Sequence, residues 1–408
     1  MKKLLYKFIE WYNRRKEILN REGLVKYISS TGGYILIIVL ITITLLVTLS
    51  TEFIILAQTN IGYIKKFDAR VKALFLARSG FELSKYILQA DKSGVNLQAL
   101  TGKATDKNID SYNDLWAVDF PSIPIEDGSV KITISDENSK INLSVLANEV
   151  VDKTPYYSIT QRFFMNMGLP MDLADIIIDW VDIDDSRFPY GVESEYYQTL
   201  IPPYNSKNAS MDSIDELLLL KDFTPEIFYG LGGGNIGMET GLVNDNKGIT
   251  SLDMSKISEM ADKGTAAREI SSPAAGTDDR SLTTIPVGKE SSRKLSDYFR
   301  VYGSRDDYLN DFNKININTA SYRVLSALTD YMTDDIVAEL IRKRMENPYR
   351  SMDQVKELIP DDTIRNNILT VRSHIFKIIV SVEVARSSAV LTVYFNRDNN
   401  QILYWLEE

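Results

Sequence analysis

The sequence predicts an α+β fold: a long N-terminal helix, a small antiparallel sheet, and a large all-helical domain inserted between strands of that sheet. Three observations carry this prediction. Residues 34–51 form an apolar block whose only polar side chains are hydroxyls, and the block runs without a stop into a helical pattern. Val130-Lys131-Ile132-Thr133-Ile134 alternates with period two, and three β-rich runs close the chain. Between them lie two regions of short helices, about 155–231 and about 316–372.

The apolar block is eighteen residues long. At about 1.5 Å per helical residue it matches the hydrocarbon thickness of a bilayer. Residues 1–33 carry eight Lys or Arg and three Glu, a net +5, which keeps this end in the cytoplasm by the positive-inside bias. The whole chain is −10, so the remainder carries −15. Such a surface repels nucleic acid and anionic membrane faces, and suits cations or basic partners. A cleavable signal peptide has a shorter apolar region followed by small residues. Here Gly32 and Gly33 precede the block instead. There is no cysteine, which excludes disulfides, thiolate metal sites and a Cys nucleophile.

After the block, Ile61, Ile64, Phe67, Val71, Leu74, Phe75, Phe81 and Ile87 recur at three- and four-residue steps, with charges on the other faces. This is an amphipathic helix whose apolar stripe packs on a sheet or on neighbouring subunits. Leu115, Trp116 and Val118 form a small apolar patch before the strand at 130–134. In the first helical region, Ile159, Phe163, Phe164 and Met167 share a face, and Gly168-Leu169-Pro170 breaks the run. Asp172 is expected to cap the next helix, which holds Leu173, Ile176, Ile177 and Trp180. Thr224-Pro225-Glu226 is a helix start with Pro at its first position.

Residues 232–295 are rich in Gly, Ser, Thr, Lys and Asp, and read as a long loop or disordered insertion. The second helical region has helices opening at Thr319-Ala320, at Thr333-Asp334-Asp335 and at Ser351-Met352-Asp353. It echoes the first region as a weak internal repeat. The closing runs, 376–384, 388–395 and 401–406, read as an antiparallel meander that the strand at 130–134 joins. The expected organisation is therefore 1–33 leader, 34–57 membrane helix, 58–150 amphipathic helix and first strands, 151–372 helical insertion, and 373–408 closing strands.

One constellation stands out chemically. Asp182, Asp184, Asp185, Glu193 and Glu195 place five carboxylates within fourteen residues, on a loop after a helix. They repel one another unless protonated, solvated or holding a cation. Oxygen donors without His or Cys suit Ca²⁺. Counting Asp182 as one, Asp184 is three, Ser186 five and Glu193 twelve, an EF-hand-like spacing. Arg187 stands sixth, where that loop needs Gly, so this is no standard EF-hand. The spacing leaves two readings open, a calcium site or a solvated acidic loop. Asp179 reads as a helix-terminal hydrogen bonder rather than a ligand.

Other motifs are weaker. Gly232, Gly234 and Gly237 form a G-x-G-x-x-G that follows a helix, the wrong context for a dinucleotide site. The helix pairs near 159–185 and 319–345 look like helix-hairpin-helix modules, but the turn 329–334 has no glycine and two acids, which favours packing over DNA binding. The single histidine, His374, reads as a surface or packed residue, not as part of a Ser/His/Asp machine. Thr42, Thr44 and Thr48 are expected to bond back to helix carbonyls.

Four passages together resemble the type II secretion minor pseudopilin K family (general secretion pathway protein K): Gly33 before the apolar helix; 177–185 with Glu193-Ser194-Glu195-Tyr196-Tyr197 and Pro202-Pro203-Tyr204-Asn205; Ser213-Ile214-Asp215-Glu216-Leu217 with 221–227; and Ile315-Asn316-Ile317-Asn318-Thr319-Ala320. The resemblance implies a type IV pilin-like scaffold with an inserted helical domain that binds Ca²⁺. It implies cleavage by a prepilin peptidase between Gly33 and Tyr34, with methylation of the new terminus; cleavage after Gly32 is the alternative. Most pseudopilins carry Glu at the fifth mature position, here Ile38, and K subunits share that departure. The 33-residue leader is long for the family, and Tyr34 stands where a small or apolar residue is usual.

The implied protein is a non-enzymatic subunit at the tip of the pseudopilus, initiating or capping fibre assembly for protein export. It would lie in the cell inner membrane with its C-terminal domain periplasmic. Its partners would be the I, J and H type minor pseudopilins, the major pseudopilin fibre and the prepilin peptidase, with no nucleic acid. Two other classes of function compete with it, a membrane-anchored metal-dependent hydrolase using the same carboxylates and a DNA-uptake adaptor.

Overall fold

A computed structural model of the chain describes residues 7, 9–11, 13–14, 24–94, 106–147, 154–230, 294–303, 309–385 and 387–408, with only the backbone for 24–33. The chain forms two compact units, residues 1–71 and 72–408. Helix α1 (Leu24–Lys92) gives its first part to one unit and its last turns to the other.

In the first unit the large apolar side chains between Tyr34 and Leu56 are exposed. Among the described residues, one helix is long and apolar enough to cross a membrane. Its hydroxyls are satisfied internally, as expected. Thr42 donates to the carbonyls of Ile38 (3.0 Å) and Val39 (2.9 Å), Thr44 to that of Leu40, and Thr48 to that of Leu45 (2.9 Å). Every threonine on this stretch thus has its hydroxyl bonded within the helix. Gly33 and Tyr34 lie within the helix.

The second unit is built on a five-stranded antiparallel sheet in the order β1-β2-β7-β8-β9. Its strands are β1 (Ile123–Ile125), β2 (Gly128–Asp136), β7 (Ile375–Val384), β8 (Ser387–Asn396) and β9 (Gln401–Glu407). Period-two alternation buries Ile378, Val380, Val382, Leu391, Val393 and Phe395. The buried Ala73, Ala77, Phe81 and Leu88 line the last turns of α1. Gly80 permits close approach there, because a Cβ would sit 2.6 Å from Val380 Cγ1. Phe81 meets Phe395 (5.9 Å) and Trp405 (5.3 Å) edge-on. Arg78 clamps Glu407 on the edge strand with two hydrogen bonds, 2.7 and 3.0 Å.

The helical domain is one insertion between β2 and β7, as the alternation pattern predicts. It contains α2 (Pro155–Asn166), α3 (Leu173–Val181), α4 (Ser194–Tyr197), α5 (Pro225–Tyr229), α6 (Tyr322–Ser326) and α7 (Asp334–Glu346). Its core is aromatic at the centre, with Phe163 against Phe299 at 4.7 Å and Phe164 against Phe299 at 5.4 Å. Two short parallel ladders enter it, β3 (Ile141–Asn142) with β4 (Phe299–Arg300), and β5 (Ile315–Asn316) with β6 (Leu369–Thr370).

The two halves of the helical domain share polar details. Lys140-Ile141-Asn142 and Lys314-Ile315-Asn316 each open one of the parallel ladders. In each, the Asn side chain accepts the amide two residues on, Ser144 N at 3.0 Å and Asn318 N at 2.9 Å. Ser213-Ile214-Asp215-Glu216 and Ser351-Met352-Asp353-Gln354 each start a 3-10 turn with a capping box. Glu216 and Gln354 turn back onto equivalent amides, Asp212 N at 2.7 Å and Arg350 N at 2.6 Å.

Two local expectations need correction. Asp172 sits at the N-cap of α3 but makes no side-chain cap bond. The turn carbonyls of Pro170 and Met171 already accept the amides of Leu173 and Ala174, at 3.3 and 3.1 Å. The expected helix from Ser351 is only a 3-10 turn, Met352–Val355, followed by a π turn at Ile364–Ile368. Pro360 lies too close to allow a longer helix. The loop reading of 232–295 and the glycines Gly232, Gly234 and Gly237 fall outside the described residues, except for 294–295.

Candidate metal centre

α3 is fully buried, yet carries two carboxylates, Asp175 and Asp179, four residues apart on one face. Burying a charge in an otherwise apolar helix is costly unless it is bonded or paired. Asp175 meets this need through Tyr157 OH (2.7 Å) and Tyr190 N (3.3 Å). Asp179 meets half of it, with Oδ1 accepting Phe188 N at 2.9 Å. These bonds draw the loop after α3 back along the helix. Arg187 holds the return by donating twice to Gly191 O, at 3.1 and 3.0 Å.

The return brings Glu193 to the end of α3. Oxygens of Asp179, Asp182 and Glu193 all lie within 4.8 Å of one another. Two oxygens bound to one Ca²⁺ at about 2.4 Å are at most about 4.8 Å apart, so these three can share an ion. Asp179 Oδ2 and Glu193 Oε1 are buried without a hydrogen-bond donor among the described residues. Gly191 leaves the space beside them, since a Cβ there would overlap the Asp179 carboxylate. The donor set and the unfilled valences fit a hard divalent cation.

The electrostatics agree. Burial, with the charges of Glu193 and Asp175, pushes Asp179 up to about 7, against the opposing Phe188 amide. Burial also pushes Glu193 up, helped by Asp185 and Asp184 and opposed by the Ser206 hydroxyl. Each group would be stabilised in its ionised form by a bound cation.

Of the five acids singled out in the sequence, the structure brings Asp182 and Glu193 into this group. Asp184, Asp185 and Glu195 are exposed. Asp184 Oδ1 accepts Ser186 N at 2.7 Å, and Asp185 Oδ1 accepts Asn208 Nδ2 at 3.3 Å. Asp184 and Asp185 still lie near enough for their charges to act on Glu193. The added member is Asp179, which is both the hydrogen bonder expected and part of the cluster. Its signal was present in Leu173-Ala174-Asp175-Ile176-Ile177-Ile178-Asp179-Trp180-Val181, where two acids interrupt an apolar run.

His374 and the second helix pair make side-chain contacts within the fold. His374 Nδ1 pairs with Asp398, which also holds Lys92 at 2.8 Å, and the imidazole lies 4.8 Å from the Phe312 ring. The neighbouring Ser373 hydroxyl donates to Asp136 at 2.6 Å. The end of the α6–α7 hairpin is engaged by Arg162, which donates to Ala327 O (2.9 Å) and Leu328 O (2.7 Å) and pairs with Asp330 (3.3 Å).

Comparison with known proteins bears on both helical modules. Residues 139–232 match a family described as Type II secretion system (T2SS), protein K, and residues 315–372 match a second model of the same description. Type II secretion system protein K of Aeromonas hydrophila is 25% identical over 215 residues, covering 49% of this chain and 61% of that protein. That of Pectobacterium carotovorum subsp. carotovorum is 27% identical over 202 residues, covering 46% and 57%. The chain thus spans about three-fifths of the length of these relatives. A chain in the crystal structure of the GspK-GspI-GspJ complex from the enterotoxigenic Escherichia coli Type 2 Secretion System aligns over 85% of this chain and 99% of its own length. The TM-score is 0.50 at 12% identity, a likeness of fold.

Proposed function

We propose, from a chain that is a relative of type II secretion system protein K, that this protein is a minor pseudopilin of a type II secretion system. The observation that carries this reading is the joining of both protein K modules to a sheet whose supporting helix continues into an apolar, fully exposed span. In this reading, residues 34–57 hold the subunit in the inner membrane, with the basic leader cytoplasmic and the sheet and insertion periplasmic. A prepilin peptidase cuts between Gly33 and Tyr34, and the new terminus is methylated.

The exposed apolar side chains of Ile61, Ile64 and Phe67 extend past the span and would be covered by the helices of I, J and H type minor pseudopilins. Ile38 at the fifth mature position supports a place at the tip, where no subunit above supplies an amine for a carboxylate to neutralise. There the subunit would initiate or cap the fibre of major pseudopilin. Its role is structural, and it uses no catalytic residue and no nucleic acid.

Ca²⁺ in this reading is structural, held by Asp179, Asp182 and Glu193, with Asp184, Asp185 and Glu195 adding negative field from the surface. When bound, such an ion would supply charge compensation to these three carboxylates, which come from the end of α3 and from the residue just before α4. The protein's own residues shape the rest of the site. Phe188 N orients Asp179, Arg187 closes the loop, and Gly191 keeps the space open.

Co-purification tests the assembly reading. The mature chain should form a stable complex with the I and J type subunits of the same bacterium, and should begin at a methylated Tyr34 by mass spectrometry. A chain that retains residues 1–33 in export-competent cells would sink it.

A further inference from the structure

The second unit buries a charged group that the metal centre does not use. Asp91 in the last turn of α1, Asp110 and Asp114 in the segment before β1, and Arg397 after β8 are 8%, 2%, 1% and 3% exposed. Oxygens of the three acids lie within 4.8 Å of one another. Arg397 grips Asp110 with two prongs, Nη1 to Oδ1 at 2.7 Å and Nη2 to Oδ2 at 2.8 Å. It reaches Asp91 Oδ2 at 3.1 Å and Ser373 O at 2.8 Å, and lies 4.9 Å over the Phe376 ring. Asp114 accepts the amide of Ser111 at 2.6 Å, and no Lys, Arg or His among the described residues pairs with it.

One guanidinium against three carboxylates leaves the group at −2 if all three ionise. At such separations and in so dry a place, that excess is strongly unfavourable. Two acids already share the guanidinium. One proton halves that excess to −1, and does so most cheaply on the acid that the guanidinium does not reach.

We propose that Asp114 carries a proton in the folded protein at neutral pH, so that the segment 106–118 closes over the end of α1 only while that proton is held. The junction of α1, this segment and the β8–β9 turn is then a proton-dependent clasp. Burial first, and then the charge of Asp91, push Asp114 up to about 9; burial, then Asp110, push Asp91 up to about 7. Other charged groups border the clasp without bonding Asp114. Lys92 pairs with Asp398, His374 pairs with Asp398, and Asp136 is held by Ser373 and Thr319.

The sign follows from linkage. An acid whose folded pKa exceeds its unfolded value stabilises the fold fully at low pH, and loses that contribution as pH rises through the folded pKa. Between about pH 4 and about pH 9, folding takes up one proton at Asp114. This group alone raises the unfolding constant about tenfold per pH unit over that window.

Urea unfolding of the full chain in detergent, with calcium saturating, tests the clasp between pH 7 and pH 8.5. The unfolding constant of the wild type should rise about tenfold per unit more steeply than that of Asp114→Asn. Parallel pH dependences overturn the proposal. Should Asp114→Asn fail to fold, infrared spectroscopy of the wild type at pH 8, where Asp91 and Asp136 are largely ionised, decides. A protonated-carboxyl band at that pH supports Asp114 as the carrier, and its absence overturns the assignment.

Discussion

Gly191 stands directly against Asp179, so closely that a Cβ at position 191 would overlap the carboxylate. Asp179 is delivered by α3, and Gly191 belongs to the chain on its way back from the acidic loop. Only a residue without a side chain lets that return pass the carboxylate. Two residues later Glu193 reaches the same point.

Gly191→Ala should therefore displace Asp179 or the returning loop. Overpacking of this kind costs about 1–3 kcal/mol. The sharper readout is calcium dependence. Thermal unfolding of the wild type should shift up on adding calcium and down on chelation, whereas the two curves of Gly191→Ala should nearly coincide. A variant that responds to calcium as the wild type does would show that this contact does not shape the site.

Gly80 makes a second glycine contact, here between α1 and the sheet. Gly80→Ala gains about 1 kcal/mol of helix propensity but places a methyl against Val380 in the central strand β7. Val380 is β-branched and fully buried, so its side chain has little freedom to retreat. The clash should outweigh the gain, lowering the urea midpoint. Adding Val380→Ala should relieve it, so that the double variant loses at least about 1 kcal/mol less than the two single losses combined. Additive losses would mean that the helix does not lie this close.

Ser373→Ala should change a pH profile. Burial lifts Asp136 to about 6, against the opposing hydroxyls of Ser373 and Thr319. The folded pKa is above the ordinary value of about 4, so the contribution of Asp136 is complete below pH 4 and lost as pH rises through 6. Removing the Ser373 hydroxyl withdraws a donor that favours the ionised form, and the folded pKa climbs. Beyond pH 6, where Asp136 of the wild type no longer contributes, the stability of the variant should fall with pH more steeply than that of the wild type. Urea midpoints at pH 5, 6 and 7 measure this, and identical slopes would exclude the linkage.

Much of the architecture was legible because its signals are local. Alternation in 130–134 and in the closing runs exposed the strands, and the unbroken apolar block exposed the long apolar helix. The repeat was faint for a physical reason. The two copies share polar bonds at Asn142 and Asn316, and at Glu216 and Gln354, but little of the hydrophobic content that periodicity detects. The Asp172 cap failed because a backbone turn took the amides first. Ser351 opened a shorter element than expected because Pro360 follows it closely.

The acidic loop was visible as a charge pattern, but the selection within it was not. Asp184, Asp185 and Glu195 have the same chemistry as Asp182 and Glu193, and only the path of the chain past Gly191 separates exposed from converging acids. Asp91, Asp110 and Arg397 carried still less signal, since each reads alone as an ordinary surface charge.

Taken alone, the order of residues determined a helix long and apolar enough to cross a membrane, the α+β class and the insertion between strands, because periodicity and charge act over a few neighbouring positions. Tertiary structure decided which carboxylates meet, which are buried and which find a hydrogen-bond partner. Those outcomes depend on where distant segments return in space, and the energy of a charge depends on the burial and the partners it finds there.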